Sequence, residues 1–390
     1  MAGVVLLAGV LSGCGGEEAG DVEAPRGSGV DAAAAGEVIA ELVQALQEPG
    51  PASEPRWPAY FDVNADAVGL GEVSMRYLVD DAAQTASLPE GQWAGVVDLS
   101  WSIDQADPAP AHAEVSVIFS GSGDELRIAG VGGGGRVAPL WLQEPVEVAR
   151  GTASMAIVAG ERAAERAARY VRLADQGVRA VGEVLRPRRQ GVVIEAPASV
   201  EQLDTVLGTE PGSHGGIAAV TTPIDGSTAP GAPTHVFLNP AQFAGLAPRG
   251  AQVVITHEIT HVVTEAATAV GVPLWLTEGF ADYVALRDST VPVAEAASQI
   301  LAQVRKRGAP RSLPSDAEFA VRTDKLGASY EAAWLACTVL VDEGGEAALL
   351  RFHRAVMAGD SVTQALDDVF GIDEARLIAL WRARLVELAG

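Results

Sequence analysis

His257-Glu258-Ile259-Thr260-His261 and, a short loop downstream, Trp275-Leu276-Thr277-Glu278-Gly279-Phe280-Ala281-Asp282-Tyr283 are the stretches that decide how this chain is read. On a helix, residues four apart share one face, so both imidazoles of the first stretch can reach one ion. Glu258 projects beside them, close enough to act on a water there. Val253, Val254 and Ile255 before the motif and Val262 and Val263 after it predict a largely buried helix, beginning after Pro248-Arg249-Gly250. Two histidines and a glutamate inside such a helix are costly without partners, and a metal supplies one. Two imidazoles and a carboxylate suit Zn2+ best.

Catalytic zinc takes three protein ligands and keeps one position open. The loop through Gly271-Val272-Pro273 lets a second helix turn back on the first, with Glu278 near its start as the third ligand beside His257 and His261. Asp282, one turn on, lies on the same face and can accept the free ring N–H of a ligand histidine, fixing its tautomer. The plainer alternatives are a carboxylate favoured by the helix-start dipole for Glu278 and a surface ion pair for Asp282.

In this order, His257, Glu258, His261, Trp275, Glu278, Gly279, Ala281, Asp282 and Tyr283 resemble the gluzincin superfamily of zinc metallopeptidases, specifically its peptidase MA-like group. The resemblance covers about residues 155–390. It implies an α+β fold with a two-lobed peptidase unit: an α/β amino lobe carrying a mixed sheet and the H-E-x-x-H helix, and an all-helical carboxy lobe. It also implies peptide or protein substrates, Glu258 as general base, and an edge strand that pairs with extended substrate, for which 215–222 is the candidate. Ser329-Tyr330-Glu331-Ala332-Ala333-Trp334 looks similar to the helix that follows the third ligand in this family. That likeness makes Tyr330 a second catalytic candidate, steadying the oxyanion. A core aromatic with its hydroxyl at the surface is the alternative.

Outward from the motifs, helical periodicity predicts helices at 161–185, 273–287, 292–307, 327–343, 345–358, 362–369 and 373–388, punctuated by glycines. Ser199 with Gln202 reads as a capping box opening a helix through Leu207. Strands are expected at 192–194, 215–222 and 234–238. Upstream, a helix over 32–46 precedes strand-like runs at 95–103, 113–120, 125–131 and 146–158. This part suggests a small α+β domain, vaguely resembling the cone-shaped fold of nuclear-transport-factor-like domains, and shows no chemistry of its own. Its His112 reads as a surface residue. The expected division is 32–152 for this domain and 153–390 for the peptidase unit, split into an α/β lobe at 153–268 and a helical lobe at 269–390. Of the other histidines, His353 reads as structural, His235 has no partner pattern, and His214 is a candidate to line the cleft.

At the amino terminus, the apolar run Val4 to Leu11 leads into Leu11-Ser12-Gly13-Cys14. This resembles a bacterial lipobox, although no Lys or Arg precedes the run. It implies a signal peptide at 1–13, a lipidated Cys14 that anchors the chain to the extracytoplasmic face of a bacterial membrane, and a flexible Gly/Glu/Asp-rich tether at 14–31. With only Cys14 and Cys337, no disulfide framework is expected, and Cys337 sits in an apolar stretch as a buried thiol. Acidic groups outnumber basic ones 51 to 27, for a net charge of −24, which disfavours a nucleic-acid-binding face. The oligomeric state is not encoded in any pattern. The competing functional class is a non-catalytic surface lipoprotein that binds a partner and keeps a structural or vestigial metal site. The intact Glu258 argues against it, because a structural site has no need of a base.

Overall fold

The sheet that carries the site is buried on both faces. It is built from β5 (Val146–Arg150), β6 (Ser154–Ala159), β7 (Val192–Ala196), β8 (Ala219–Pro223) and β9 (Thr234–Leu238), in the order β5-β6-β7-β9-β8. We describe it from a computed structural model that covers residues 31–47, 55–185, 191–319 and 326–390. β6, β7 and β9 run parallel, while β5 and β8 are antiparallel edge strands. β6 and β7 are buried along their whole length, so they read as continuous apolar runs, as strands covered on two faces do.

The amino-terminal part covers one face. Its elements are α1 (Ala32–Gln47), α2 (Tyr60–Val68), β1 (Leu70–Asp80), α3 (Ala82–Thr85), β2 (Gln92–Ile103), β3 (Ala111–Ser120) and β4 (Arg127–Val131). The four strands form an antiparallel meander in sequence order. Val38, Ile39 and Leu42 of α1 and Phe61 of α2 share a core with Leu99, Trp101 and Val117, and that core continues through Met155, Ile157, Val193 and Phe237 of the second sheet. Buried Asn64 ties the two together. Its Nδ2 donates to the carbonyls of Trp141 and Glu144 at 2.8 and 2.7 Å, and its Oδ1 accepts from Val146 N at 3.1 Å.

The opposite face holds α4 (Ala163–Leu185), which follows β6, and α7 (Pro248–Thr264), which follows β9 and α6 (Pro240–Ala244); α5 (Val200–Val206), between β7 and β8, packs into the core shared with the amino-terminal part. Beyond them every element among the described residues is helical, chiefly α8 (Leu274–Leu286), α9 (Val293–Ala296), α10 (Ser298–Arg307), α11 (Leu326–Gly344), α12 (Glu346–Met357), α13 (Val362–Phe370) and α14 (Glu374–Ala389). The fold is thus α+β and two-lobed around α7, as the sequence implied. Trp381 of α14 closes the helical lobe by donating from Nε1 to Ala332 O at 2.9 Å.

Most expected elements appear within a residue or two. Ser199 accepts from Gln202 N, as a capping residue does. Four expectations differ. The run 146–158 is two strands, because Asp175 accepts from Thr152 N and Ala153 N and folds the segment after Gly151 into a hairpin. Its first strand, β5, therefore pairs into the second sheet although it lies before residue 153. The helix at 292–307 breaks at Ala297 into α9 and α10. α2 and β1 come from a stretch read as connection. Gly69 ends α2 in the left-handed conformation (φ 70°), which favours glycine, and Val73, Met75 and Tyr77 then alternate along β1 up to an irregularity before the exposed Val79. The signal peptide, Cys14 and the tether up to residue 30 lie outside the described residues. Among those described, no helix is long and apolar enough to cross a membrane.

One buried ionic group pins the two parts. His235 of β9 contacts Glu195 Oε1 through Nδ1 at 2.6 Å and Asp107 Oδ1 through Nε2 at 2.9 Å. Burial opposes a charged ring, yet the two carboxylates, Asp107 foremost, raise its pKa to about 10. An imidazole titrates near 6.5 when unfolded. The pair's stabilisation is therefore full below about pH 6.5 and is lost as pH rises towards 10. His235→Gln should lower stability by about 3–5 kcal/mol at pH 6, since two buried carboxylates lose their counter-charge. It should also flatten the decline in urea midpoint between pH 6.5 and 9.5 relative to wild type. Parallel wild-type and variant pH profiles would contradict this assignment.

Candidate metal centre

α7 can be buried because its polar side chains are satisfied locally. Thr256, Thr260 and Thr264 donate to the carbonyls of Gln252, Thr256 and Thr260, one turn back, at 2.9, 2.8 and 2.7 Å. Pro248 opens the helix at a position where a missing N–H costs nothing. α4 approaches closely at Gly177, where a Cβ would lie 2.7 Å from Ile259 Cδ1. The chain leaves α7 through Glu265 in the left-handed conformation (φ 57°), and after a short loop α8 begins. Its cap comes from afar: Asp316 Oδ1 accepts from Leu274 N at 2.9 Å.

These placements bring the ligand candidates together. His257 Nε2 and His261 Nε2 lie 2.9 Å apart, and Glu278 Oε2 lies 3.1 and 3.3 Å from them. A tetrahedral ion with zinc-like bond lengths separates its donor atoms by about 3.3 Å, so the triangle is close to the right size and slightly tight. Among the described residues, these three form the one group of His, Cys, Asp and Glu side chains with this convergence. Asp282 Oδ1 accepts from His257 Nδ1 at 2.8 Å. That bond assigns the proton to Nδ1 and leaves the Nε2 lone pair facing the triangle.

The local field favours positive charge. Burial alone would depress the pKa of His257, but Asp282 and Glu278 hold it well above the ordinary imidazole value. Burial alone would raise Glu278, but His261 and His257 hold it well below the usual carboxylate range. A proton or a divalent cation can meet that demand. Only a cation engages all three lone pairs at once, and so the donor set fits zinc.

Glu258 is buried beside His257, and Thr221 Oγ1 of the edge strand sits 2.6 Å from its Oε2. Tyr330 of α11 packs its ring 5.9 Å from that of His257, with Phe319 edge-on behind it. Burial, then the carboxylates of Glu278, Glu258 and Asp282, push its phenol pKa far up. That direction favours the protonated phenol, the form that can donate a hydrogen bond. Gly279 makes this arrangement possible, because a Cβ there would lie 2.4 Å from Ala333 O, so α8 and α11 touch backbone to backbone. A cavity of about 310 Å³ opens between the segment 216–219, Val253, Val254, Glu258 and Tyr330. A second, of similar volume, lies against Thr221, His261 and Glu278.

The structure therefore brings His257, Glu258, His261, Glu278, Asp282 and Tyr330 into one place. The strand expected at 215–222 is shorter, Ala219–Pro223, but it is an edge of the sheet and lies against α7. His214 bonds Asp204 at 2.7 Å and is not among the residues lining the cavities beside the triangle. His353 is buried and stacked on Phe280 at 3.9 Å, its pKa lowered to about 3, chiefly by burial. His112 is exposed and Cys337 is a buried free thiol. Thr221 was not singled out from sequence, since a threonine in a strand is ordinary and its partner is distant.

Residues 244–387 match the family model described as the Peptidase MA superfamily. No curated protein matches the chain. Among solved structures, it is similar to an M1 zinc metallopeptidase from Deinococcus radiodurans, at 13% identity over 81% of this chain and 61% of that one, with a TM-score of 0.40. It is similar also to yeast LTA4 hydrolase, at 11% identity over 80% and 59%, with a TM-score of 0.39. This chain thus spans less than two thirds of their length, and superpositions this loose carry no argument about chemistry.

Gly279→Ala should destabilise the protein by about 1–3 kcal/mol, the range for forcing a methyl into a packed core, and should weaken metal binding through displacement of Glu278. Thermal unfolding and zinc titration check both. An unchanged melting temperature would mean that α8 and α11 do not meet at Gly279.

Proposed function

We propose that this chain is a zinc-dependent metallopeptidase that hydrolyses peptide bonds, anchored through lipidated Cys14 at the extracytoplasmic face of a bacterial membrane. The observation that carries the catalytic reading is the convergence of His257 Nε2, His261 Nε2 and Glu278 Oε2 beside the Glu258 carboxylate. The matched family model over 244–387 supports the same reading. The lipid anchor rests on the sequence around Cys14 alone, as does a separate amino-terminal unit at 32–152 on the periodicity there.

His257, His261 and Glu278 would hold the zinc, which when bound supplies Lewis acidity towards the scissile carbonyl and towards water. Asp282 keeps His257 in the tautomer that presents Nε2. Glu258 takes a proton from the attacking water and delivers it to the amine nitrogen as the C–N bond breaks. Tyr330 donates from its hydroxyl to the oxygen that gains charge when water adds to the carbonyl carbon. β8, with one side paired to β9 and the other at the sheet edge, offers backbone groups to an extended peptide.

Glu258→Gln should bind about one zinc per chain, like wild type, and lose roughly 10²–10⁴-fold in turnover of a quenched-fluorescence peptide library, the range for a general acid–base group. Full activity in that variant would overturn the mechanism. Absence of cleavage by zinc-loaded wild type across the library would overturn the peptidase reading.

A further inference from the structure

Thr221 stands at the centre of β8, in register with Val236 of β9. Successive strand residues face opposite sides, so Thr221 looks the same way as Ala219, towards the core that contains α7. Its Oγ1 lies 2.6 Å from Glu258 Oε2 and 3.1 Å from Glu258 O. A hydroxyl has one proton to give, and the shorter contact, to a charged acceptor, is the stronger one. The carboxylate and carbonyl of Glu258 cannot bond each other, because both only accept. Among the described residues, Thr221 is the side chain that hydrogen-bonds this carboxylate.

From this we infer that Thr221 is a positioning residue for Glu258. Its hydroxyl fixes the rotamer of the base by holding Oε2, which leaves Oε1 as the free proton acceptor. The inference rests on the proposed role of Glu258 and adds a constraint that the metal ligands do not provide. Those ligands fix the imidazoles and Glu278, whereas Glu258 has no metal bond to hold it. The same short strand that would pair with the substrate backbone also holds the base. Strand and carboxylate are thereby kept in one register, and a misplacement of about an ångström at a reacting group costs on the order of a hundredfold in rate.

The test compares wild type, Thr221→Val and Thr221→Ser, each zinc-loaded. Valine keeps the shape and removes the hydroxyl, and serine restores the hydroxyl with less bulk. In crystal structures, Thr221→Val should show the Glu258 side chain in a new or divided rotamer, with His257, His261 and Glu278 unmoved. Zinc content should be unchanged. On the fluorescent peptide library, Thr221→Val should lose about tenfold to a hundredfold in kcat with KM held, and Thr221→Ser should recover most of it. An unmoved Glu258 in the valine variant would overturn the inference, as would a loss shared equally by valine and serine. A fall in zinc content or a rise in KM alone would also overturn it, by making Thr221 a structural or substrate-binding residue. If wild type cleaves no peptide, the catalytic reading fails, and the rotamer of Glu258 still decides the positioning claim.

Discussion

A partly buried carboxylate and two buried imidazole lone pairs, pointed at one another within 3.3 Å, call for positive charge among them. The rest of the half that carries the candidate site is arranged around that constraint. α7 keeps the histidines on one face and satisfies its threonines internally. α8 is started by a remote aspartate and aims Glu278 and Asp282 back at α7. Glycines at 177 and 279 allow helix contacts that a methyl group would block. Each of these costs something in isolation, since a glycine inside a helix costs about 1 kcal/mol relative to alanine, and together they hold one charged cluster in shape.

The same sheet serves two structures. Its one face packs on α4 and α7, and its other face continues the core of the amino-terminal meander. The buried His235, bridging Glu195 of the sheet and Asp107 of the β2–β3 connection, adds a directional tie to that apolar contact. Such a tie contributes little net stability when intact but is costly to break, so its main effect is to fix how the two parts meet. The meander is therefore coupled to the strands that carry the site.

How much of this was legible in the sequence follows from the range of each signal. Most of the helical lobe was readable within a residue or two, because glycines at 308, 344, 345, 359 and 371 and the caps Ser361 and Asp373 punctuate it locally, whereas the break at Ala297 carried no such mark. The clustering of the candidate site was readable from local signals too: His257, His261, Glu278 and Asp282 fall on two adjacent helices joined by a short loop. Tyr330 was legible only through resemblance. What escaped depends on partners far away in the chain. Asp175 turns 146–158 into a hairpin, Asp107 and Glu195 charge His235 from 128 and 40 residues away, and Thr221 meets Glu258 across 37 residues. β1, at the sheet edge with little of it buried, carried alternation too weak to outweigh its Gly- and Pro-rich surroundings.

The account stands on a cation held by three named atoms, and the most direct measurement is anomalous diffraction at the zinc edge from crystals of the protein grown with zinc. One strong peak about 2 Å from His257 Nε2, His261 Nε2 and Glu278 Oε2 is the predicted result. A zinc peak elsewhere with those side chains still bonded only to one another, or no peak in zinc-saturated crystals, would contradict it.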